Sequence, residues 1–141
     1  MGVGLLSSKP SVSHELEWFA QVYRKISDGD AILLVAEADS HVVGSCQVTR
    51  VGPGSLHSHR GDLSIAIRRD YRGKGIGTAL LEQTIQRCRG KFEALELTVF
   101  SNNLTAKKLY EKFGFEPIGV RPRAVKRGDA YFDEELMTLA L

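Results

Sequence analysis

The stretch DYRGKGIGTALLE, Asp70 to Glu82, decides how this chain is read. Ahead of it, DLSIAIR (62–68) reads as a strand, and behind it an apolar pattern of helical period runs from about Gly75 to Arg89. The stretch is a turn from strand into helix. Gly73, Gly75 and Gly77 stand at alternate positions in it, more glycine than a tight turn requires, and Arg68, Arg69, Arg72 and Lys74 surround them. A helix N-terminus presents unpaired N–H groups and a partial positive charge. Glycines admit positive φ and let an anion approach the backbone. Together these features point to a phosphate cradle.

Three phosphate-binding designs share this look. A nucleoside-triphosphate loop, GxxxxGK[ST], places its Lys directly before Ser or Thr, whereas Lys74 precedes Gly75. A dinucleotide fingerprint, GxGxx[GA], starts at Gly75-Ile76-Gly77 but meets Leu80 at its sixth position, and the chain lacks repeated βαβ units. The remaining pattern, [RQ]xxGx[GA], is met by Arg72 through Gly77. A second block, NLTAKKLYEKFGF (Asn103 to Phe115), fits NxxAxxLYxxxGF at every defined position, one helix and one strand downstream. On these two blocks the chain resembles the GNAT superfamily of N-acetyltransferases over about residues 31–141.

The resemblance implies an α/β (α+β) fold: one mixed, mostly antiparallel sheet flanked by helices, with the strands at 62–68 and 92–100 splayed apart. It implies a single N-acetyltransferase domain over 1–141, with acetyl-coenzyme A as co-substrate and no metal. Backbone N–H groups of Arg72, Gly73, Lys74, Gly75, Ile76, Gly77 and Thr78 would hold the pyrophosphate. Ile65, Ala66 and Ile67 would pair with the pantetheine arm, and a backbone N–H there would polarise the thioester carbonyl. Asn103 and Ala106 would line the pantetheine region, although Asn103 is also a good helix N-cap. Tyr110 matches the family's general acid, which protonates the departing thiolate; periodicity alone reads it as a half-buried helix-face tyrosine. A base must take a proton from the acceptor ammonium. Asp62 and Glu96 rank first by their strands, ahead of Asp133, Glu134 and Glu135 in the last strand. The acceptor is an amine-bearing small molecule, peptide or protein, and a homodimer is compatible with the family. The alternatives are a catalytically silent coenzyme A-binding or regulatory module on the same fold and, ranked below it, a nucleic-acid-binding domain using RPRAVKR (121–127) and the IRRDYRGK surface.

Outward from these blocks the chain reads as follows. Residues 1–12 are weakly periodic, with VGLL (3–6) a candidate short edge strand. Ser13 caps a helix to about Ile26, with Leu16, Phe19, Ala20 and Tyr23 on one face. AILLVAEA (31–38), a turn at 39–41, and VVGSCQVTRV (42–51) form a hairpin, followed by a loop at 52–61. FEALELTVF (92–100) turns Leu95, Leu97 and Val99 to one face. The helix at about 103–113 puts Ala106, Leu109, Tyr110 and Phe113 inward and Lys107, Lys108, Glu111 and Lys112 outward. FEPIGVR (115–121) and YFDEELMTLAL (131–141) are strands, joined by the basic segment RPRAVKRGD, which is either a solvated hairpin or an edge of the acceptor cleft or coenzyme site.

Composition narrows the function classes. The 141 residues are 43% hydrophobic and 26% charged, with net charge +2. This is ordinary for one globular domain and too weakly basic to suggest a nucleic-acid binder. No apolar run approaches the ~20 residues of a membrane span. The start MGVGLLSSKP lacks signal-peptide character, so the expected location is the cytoplasm, with neither membrane nor nucleic acid as partner. Cys46 and Cys88 fit no zinc or redox spacing and read as buried core residues. The His57-x-His59 pair reads as a solvated loop.

Overall fold

The computed structural model describes residues 2–4, 26–52, 54 and 56–141. Seven strands form one sheet in the order β1-β2-β3-β4-β5-β7-β6. They are β1 (Gly2–Gly4), β2 (Ala31–Ala38), β3 (His41–Arg50), β4 (Arg60–Ile67), β5 (Ala94–Phe100), β6 (Glu116–Arg127) and β7 (Ala130–Ala140). Two helices, α1 (Ile76–Cys88) and α2 (Leu104–Lys112), follow β4 and β5. The sheet is mixed and mostly antiparallel, as expected. The candidate strand at VGLL overlaps β1, which pairs with β2 at the sheet edge. The helix expected from Ser13 falls outside the described residues except at its end, where Ile26 and Ser27 are helical.

The β2–β3 hairpin closes on Asp39 and Ser40, both at positive φ (52° and 64°), the tight geometry that suits twisted strands. β4 and β5 run parallel, which a short turn cannot join; α1 supplies the crossover. Ile76, Leu80, Leu81, Thr84, Ile85 and Cys88 form the buried stripe of α1, which packs on β2, β3 and β4. Leu95, Leu97 and Val99 are buried together on the same side of the sheet as Met137 of β7.

Two boundaries differ from the sequence reading. The segment RPRAVKRGD is not a connection: β6 continues through it to Arg127, and the turn is confined to Gly128 and Asp129. Register shifts at Pro117/Gly119 and Arg121/Val125, with Arg123 at φ 52°, let an edge strand rich in basic residues keep pairing with β7. β4 starts at Arg60, two residues earlier than expected, because Arg60, Gly61 and Asp62 pair with Ala94, Leu95 and Glu96.

That three-residue ladder is the whole of the β4–β5 pairing. β4 continues to Ile67 and β5 to Phe100, so the strands part beyond Asp62 and Glu96, giving the splay expected from the family resemblance. Gly61 lets them close at the fork. A Cβ there would lie 2.5 Å from Val48 Cγ1, 3.0 Å from Leu95 Cδ2 and 3.3 Å from Phe92 Cδ1. Gly61→Ala should therefore overpack the fork and cost about 1–3 kcal/mol, measured by denaturant unfolding. An unchanged midpoint would show that the fork yields freely.

Candidate functional site

The glycine loop has the geometry of an anion cradle. Arg69–Tyr71 make one turn of 3₁₀ helix after β4; Gly73 (φ 74°) and Gly75 (φ 83°) then take left-handed conformations that favour glycine. Gly75 is the N-cap of α1, and no side chain among the described residues caps that end. The first helical N–H groups, from Ile76 to Thr78, are thus left without intrahelical partners and under the positive end of the helix dipole. Gly77 serves differently. It is helical, and its missing side chain leaves room between Leu109 and Ile67.

From this loop a cavity of about 750 Å³ runs to Tyr110. The loop residues Arg72, Gly73, Gly75, Ile76, Gly77 and Thr78 line one end, Ile65, Ala66 and Ile67 of β4 one wall, and Asn103, Ala106 and Leu109 of α2 the other. Every expected donor-binding residue lies on this cavity except Lys74. That ammonium sits 5.2 Å from the Tyr71 ring centroid, on a neighbouring hollow with Ala38 and Asp39. From Leu63 to Ile67, a stretch whose last three residues line the cavity, β4 has no strand partner on its β5 side among the described residues. Its backbone groups there can pair with an extended ligand.

Tyr71 is a site residue that sequence reasoning missed, although it lies within the quoted stretch. Its ring lines the cavity, its hydroxyl donates to Asp39 Oδ2 at 2.9 Å, and Arg68 and Lys74 approach its face. It ties the glycine loop to the β2–β3 turn. Arg72 is also tethered, its Nε donating to the Ile67 carbonyl at 3.1 Å.

On α2, Asn103 is the N-cap: its Oδ1 accepts from the Ala106 N–H at 3.2 Å, and its amide donors stay separate from that bond. Tyr110 is 7% exposed, packed edge-on to Phe115 with ring centroids 5.9 Å apart. Burial, with the nearby Cys46 thiol as a smaller cause, pushes its phenol up to about 12. Cys46 and Cys88 are both buried and free, and burial raises their thiols to about 12 and about 11. Lys107 departs from the helical-wheel reading. Instead of pointing outward it reaches Glu135 of β7 at 2.6 Å, with both side chains mostly covered.

The two ranked carboxylates meet at the fork. Asp62 and Glu96 are register partners on β4 and β5 and share a second hollow on the sheet face opposite α1. Glu96 accepts from Arg60 Nη1 at 2.7 Å. No salt bridge to Asp62 occurs among the described residues, and desolvation, followed by repulsion from Glu96, raises its carboxyl above the ordinary value. Asp133 and Glu134 are otherwise engaged: Asp133 accepts from the Arg123 N–H and Glu134 from Arg121. Among the described residues no three His, Cys, Asp or Glu side chains gather as a metal site.

Substitution at Gly77 offers a test that separates binding from folding. A Cβ there would meet Leu109 Cδ2 at 3.4 Å and Ile67 Cγ1 at 3.9 Å, ordinary contacts, but both residues line the cavity. Alanine is also the better helix former, by up to about 1 kcal/mol. Gly77→Ala should keep or raise the melting temperature while weakening coenzyme binding about tenfold, a loss near 1.4 kcal/mol. Calorimetric titration with coenzyme A, run beside a thermal melt, checks both halves.

Comparison with known proteins agrees with this fold. The profile of the Acetyltransferase (GNAT) family matches residues 4–115. The L-amino acid N-acetyltransferase AaaT of Escherichia coli (strain K12) is 33% identical over 106 residues, covering 74% of this chain and 65% of that enzyme. The chain therefore spans just under two thirds of that relative's length. Among solved structures, an acetyltransferase of the GNAT family from Streptococcus pneumoniae superposes with a TM-score of 0.81 at 30% identity, covering 92% of this chain and 77% of that one. A ribosomal-protein-alanine N-acetyltransferase from Brucella melitensis superposes with a TM-score of 0.83 at 25% identity, covering 95% and 81%.

Proposed function

Because the chain belongs to the GNAT family of acetyltransferases, we propose that residues 1–141 act as one unit that moves an acetyl group from acetyl-coenzyme A to an amine. The observation that carries this reading is the continuous cavity from the uncapped N-terminus of α1, along the unpaired edge of β4, to the Tyr110 side chain. The names of the Escherichia coli and Brucella melitensis proteins favour as acceptor the amine of a free amino acid or of an alanine of a protein.

In this reading the N–H groups of Gly75 to Thr78, with Arg72, hold the pyrophosphate. The pantetheine arm lies along Ile65–Ile67, and a β4 N–H polarises the thioester carbonyl. The amine approaches through the fork from the face that carries Asp62. Asp62 takes a proton from the ammonium, the freed nitrogen attacks the carbonyl carbon, and the C–S bond breaks as the C–N bond forms. The Tyr110 hydroxyl donates a hydrogen bond to the departing sulfur, and the second proton shed by the acylated nitrogen leaves coenzyme A as the thiol. Glu96, held by Arg60, raises the basicity of Asp62 by its charge. The hydrogen-bonded Asp39–Tyr71 pair keeps the loop in register with the hairpin.

The test is calorimetric titration with acetyl-coenzyme A, followed by a coenzyme A-release assay across amino acids, peptides and polyamines. Binding with amine-dependent release supports the proposal. Binding without release on any amine would leave only a silent coenzyme-binding module, and absence of binding would remove the reading altogether.

A further inference from the structure

The hollow at the fork has a volume of about 380 Å³, at the small end of ligand pockets, and its charges are unevenly committed. Two of its four ionic side chains are consumed by the fold. Arg50 bonds Asp30 at 3.0 Å and the carbonyls of Gly29 and Ser58, with its guanidinium 4.7 Å from the Phe92 ring centroid. Glu96 is held by Arg60. Asp62 has no ion-pair partner among the described residues. Arg121, on edge strand β6, gives only Nη1 to Glu134, at 3.2 Å, and its side chain is 57% exposed. Its remaining guanidinium N–H groups have no partner among the described residues and form a planar fork that suits a carboxylate. Thr49, whose hydroxyl accepts from Gln47, Thr98 and Leu136 also line it, so the hollow offers an uncommitted carboxylate, a guanidinium edge, the Thr98 hydroxyl and an apolar patch.

We propose that this hollow receives a free α-amino acid, with its ammonium on Asp62 and its carboxylate on Arg121. The inference rests on the acetyl-transfer reading and narrows its acceptor. A polypeptide N-terminus brings the ammonium but replaces the adjacent carboxylate with a neutral amide, which leaves the Arg121 edge without an anion. A polyamine brings a second cation toward Arg121, which repels it. An α-amino acid presents both charges within one small molecule, and its side chain extends over Leu136. The α-nitrogen on Asp62 then lies where β4 and β5 separate, at the end of the strand that continues into the cavity wall at Ile65 and Ala66.

The experiment compares kcat/KM for a series of free amino acids with kcat/KM for the matching amino-acid amides, using the wild-type chain, Arg121→Gln and Arg121→Lys. The expected wild-type preference for the carboxylate form of the best acceptor is about 10–100-fold, the worth of a charge-assisted hydrogen bond. In Arg121→Gln the ratio should fall toward one, mainly through KM, and Arg121→Lys should restore part of it. Arg121 is exposed on an edge strand, so a thermal melt of each variant should show the fold intact. Equal loss on acid and amide in Arg121→Gln would overturn the inference, as would wild-type preference for amides, dipeptides or polyamines; either result leaves the acetyl-transfer reading standing. Release of coenzyme A with no amine at all would instead overturn that reading and this inference with it.

Discussion

Replacing Tyr110 with Phe is expected to lower kcat by about 10²–10³-fold, the range of a positioned general acid, while acetyl-coenzyme A affinity stays within about twofold. The substitution removes one oxygen and keeps the ring, whose edge contact with Phe115 at 5.9 Å is apolar. Binding should survive because the loop end of the cavity, at Gly73–Thr78, proposed to hold the pyrophosphate, is formed by other elements. The pH dependence is the sharper test. With the phenol pushed up to about 12, Tyr110 keeps its proton throughout the working range, so the rate deficit of Tyr110→Phe should be constant from about pH 6 to pH 10. A phenol of that basicity does not readily surrender its proton to a fully formed thiolate in water. The burial that raises the phenol raises an adjacent thiolate in the same way, which narrows the gap and lets hydrogen-bond donation stabilise the developing charge. Stopped-flow and steady-state release assays on wild type and variant measure the deficit. A wild-type alkaline limb well below 12 that disappears in Tyr110→Phe would show that the phenol titrates in range and that burial is not its dominant influence.

The glycine loop and the α2 block were legible because both are local. Positive φ at Gly73 and Gly75, a strand before and a helix after are consequences of residues within a few positions of one another. The Asp39–Ser40 turn was legible for the same reason. What sequence reasoning missed depends on pairings across the sheet. The helical wheel set Lys107 on the solvent side, yet β7 passes close enough for Glu135 to draw it inward. The sequence ranks Glu96 as a candidate base, but only the three-residue β4–β5 ladder brings Arg60 to it as an ion-pair partner. The basic run from Arg121 to Arg127 resembled a connection because Pro122 and its charges are poor strand formers. At a sheet edge, with two register shifts, those residues remain in the strand and most of their side chains stay exposed. Tyr71 carried no signal beyond its place between Arg68 and Lys74. Its hydroxyl finds a partner 32 positions away, across a turn whose position depends on the tertiary fold.

Asp62→Asn is expected to cut kcat/KM by about 10²-fold or more near neutrality while making the protein slightly more stable, and the two effects have one cause. A base that accepts a proton from an ammonium is most useful when its own proton affinity is raised. Asp62 gains that affinity from partial desolvation and from Glu96 beside it. A carboxyl whose folded pKa is raised binds its proton more tightly folded than unfolded. Its contribution to stability is thus fully present below the ordinary value of 3.8 and is lost as pH climbs through the raised folded value. At neutral pH the ionised side chain therefore burdens the fold, and the neutral, like-sized amide introduced by Asp62→Asn removes that burden. The gain is small, about 1–2 °C in melting temperature, because the site is solvent-screened. It should vanish in acid below pH 3.8, where Asp62 is protonated in both states. Activity runs the other way with pH: wild-type kcat/KM should rise as Asp62 loses its proton. Removing the neighbouring charge with Glu96→Gln should shift that rise to lower pH. A melting temperature that falls at neutral pH in Asp62→Asn would show that the carboxylate is a structural partner, and an acid limb unmoved by Glu96→Gln would assign the titrating base elsewhere. Stability gained where activity is lost separates a catalytic carboxylate from one that merely holds the fork together.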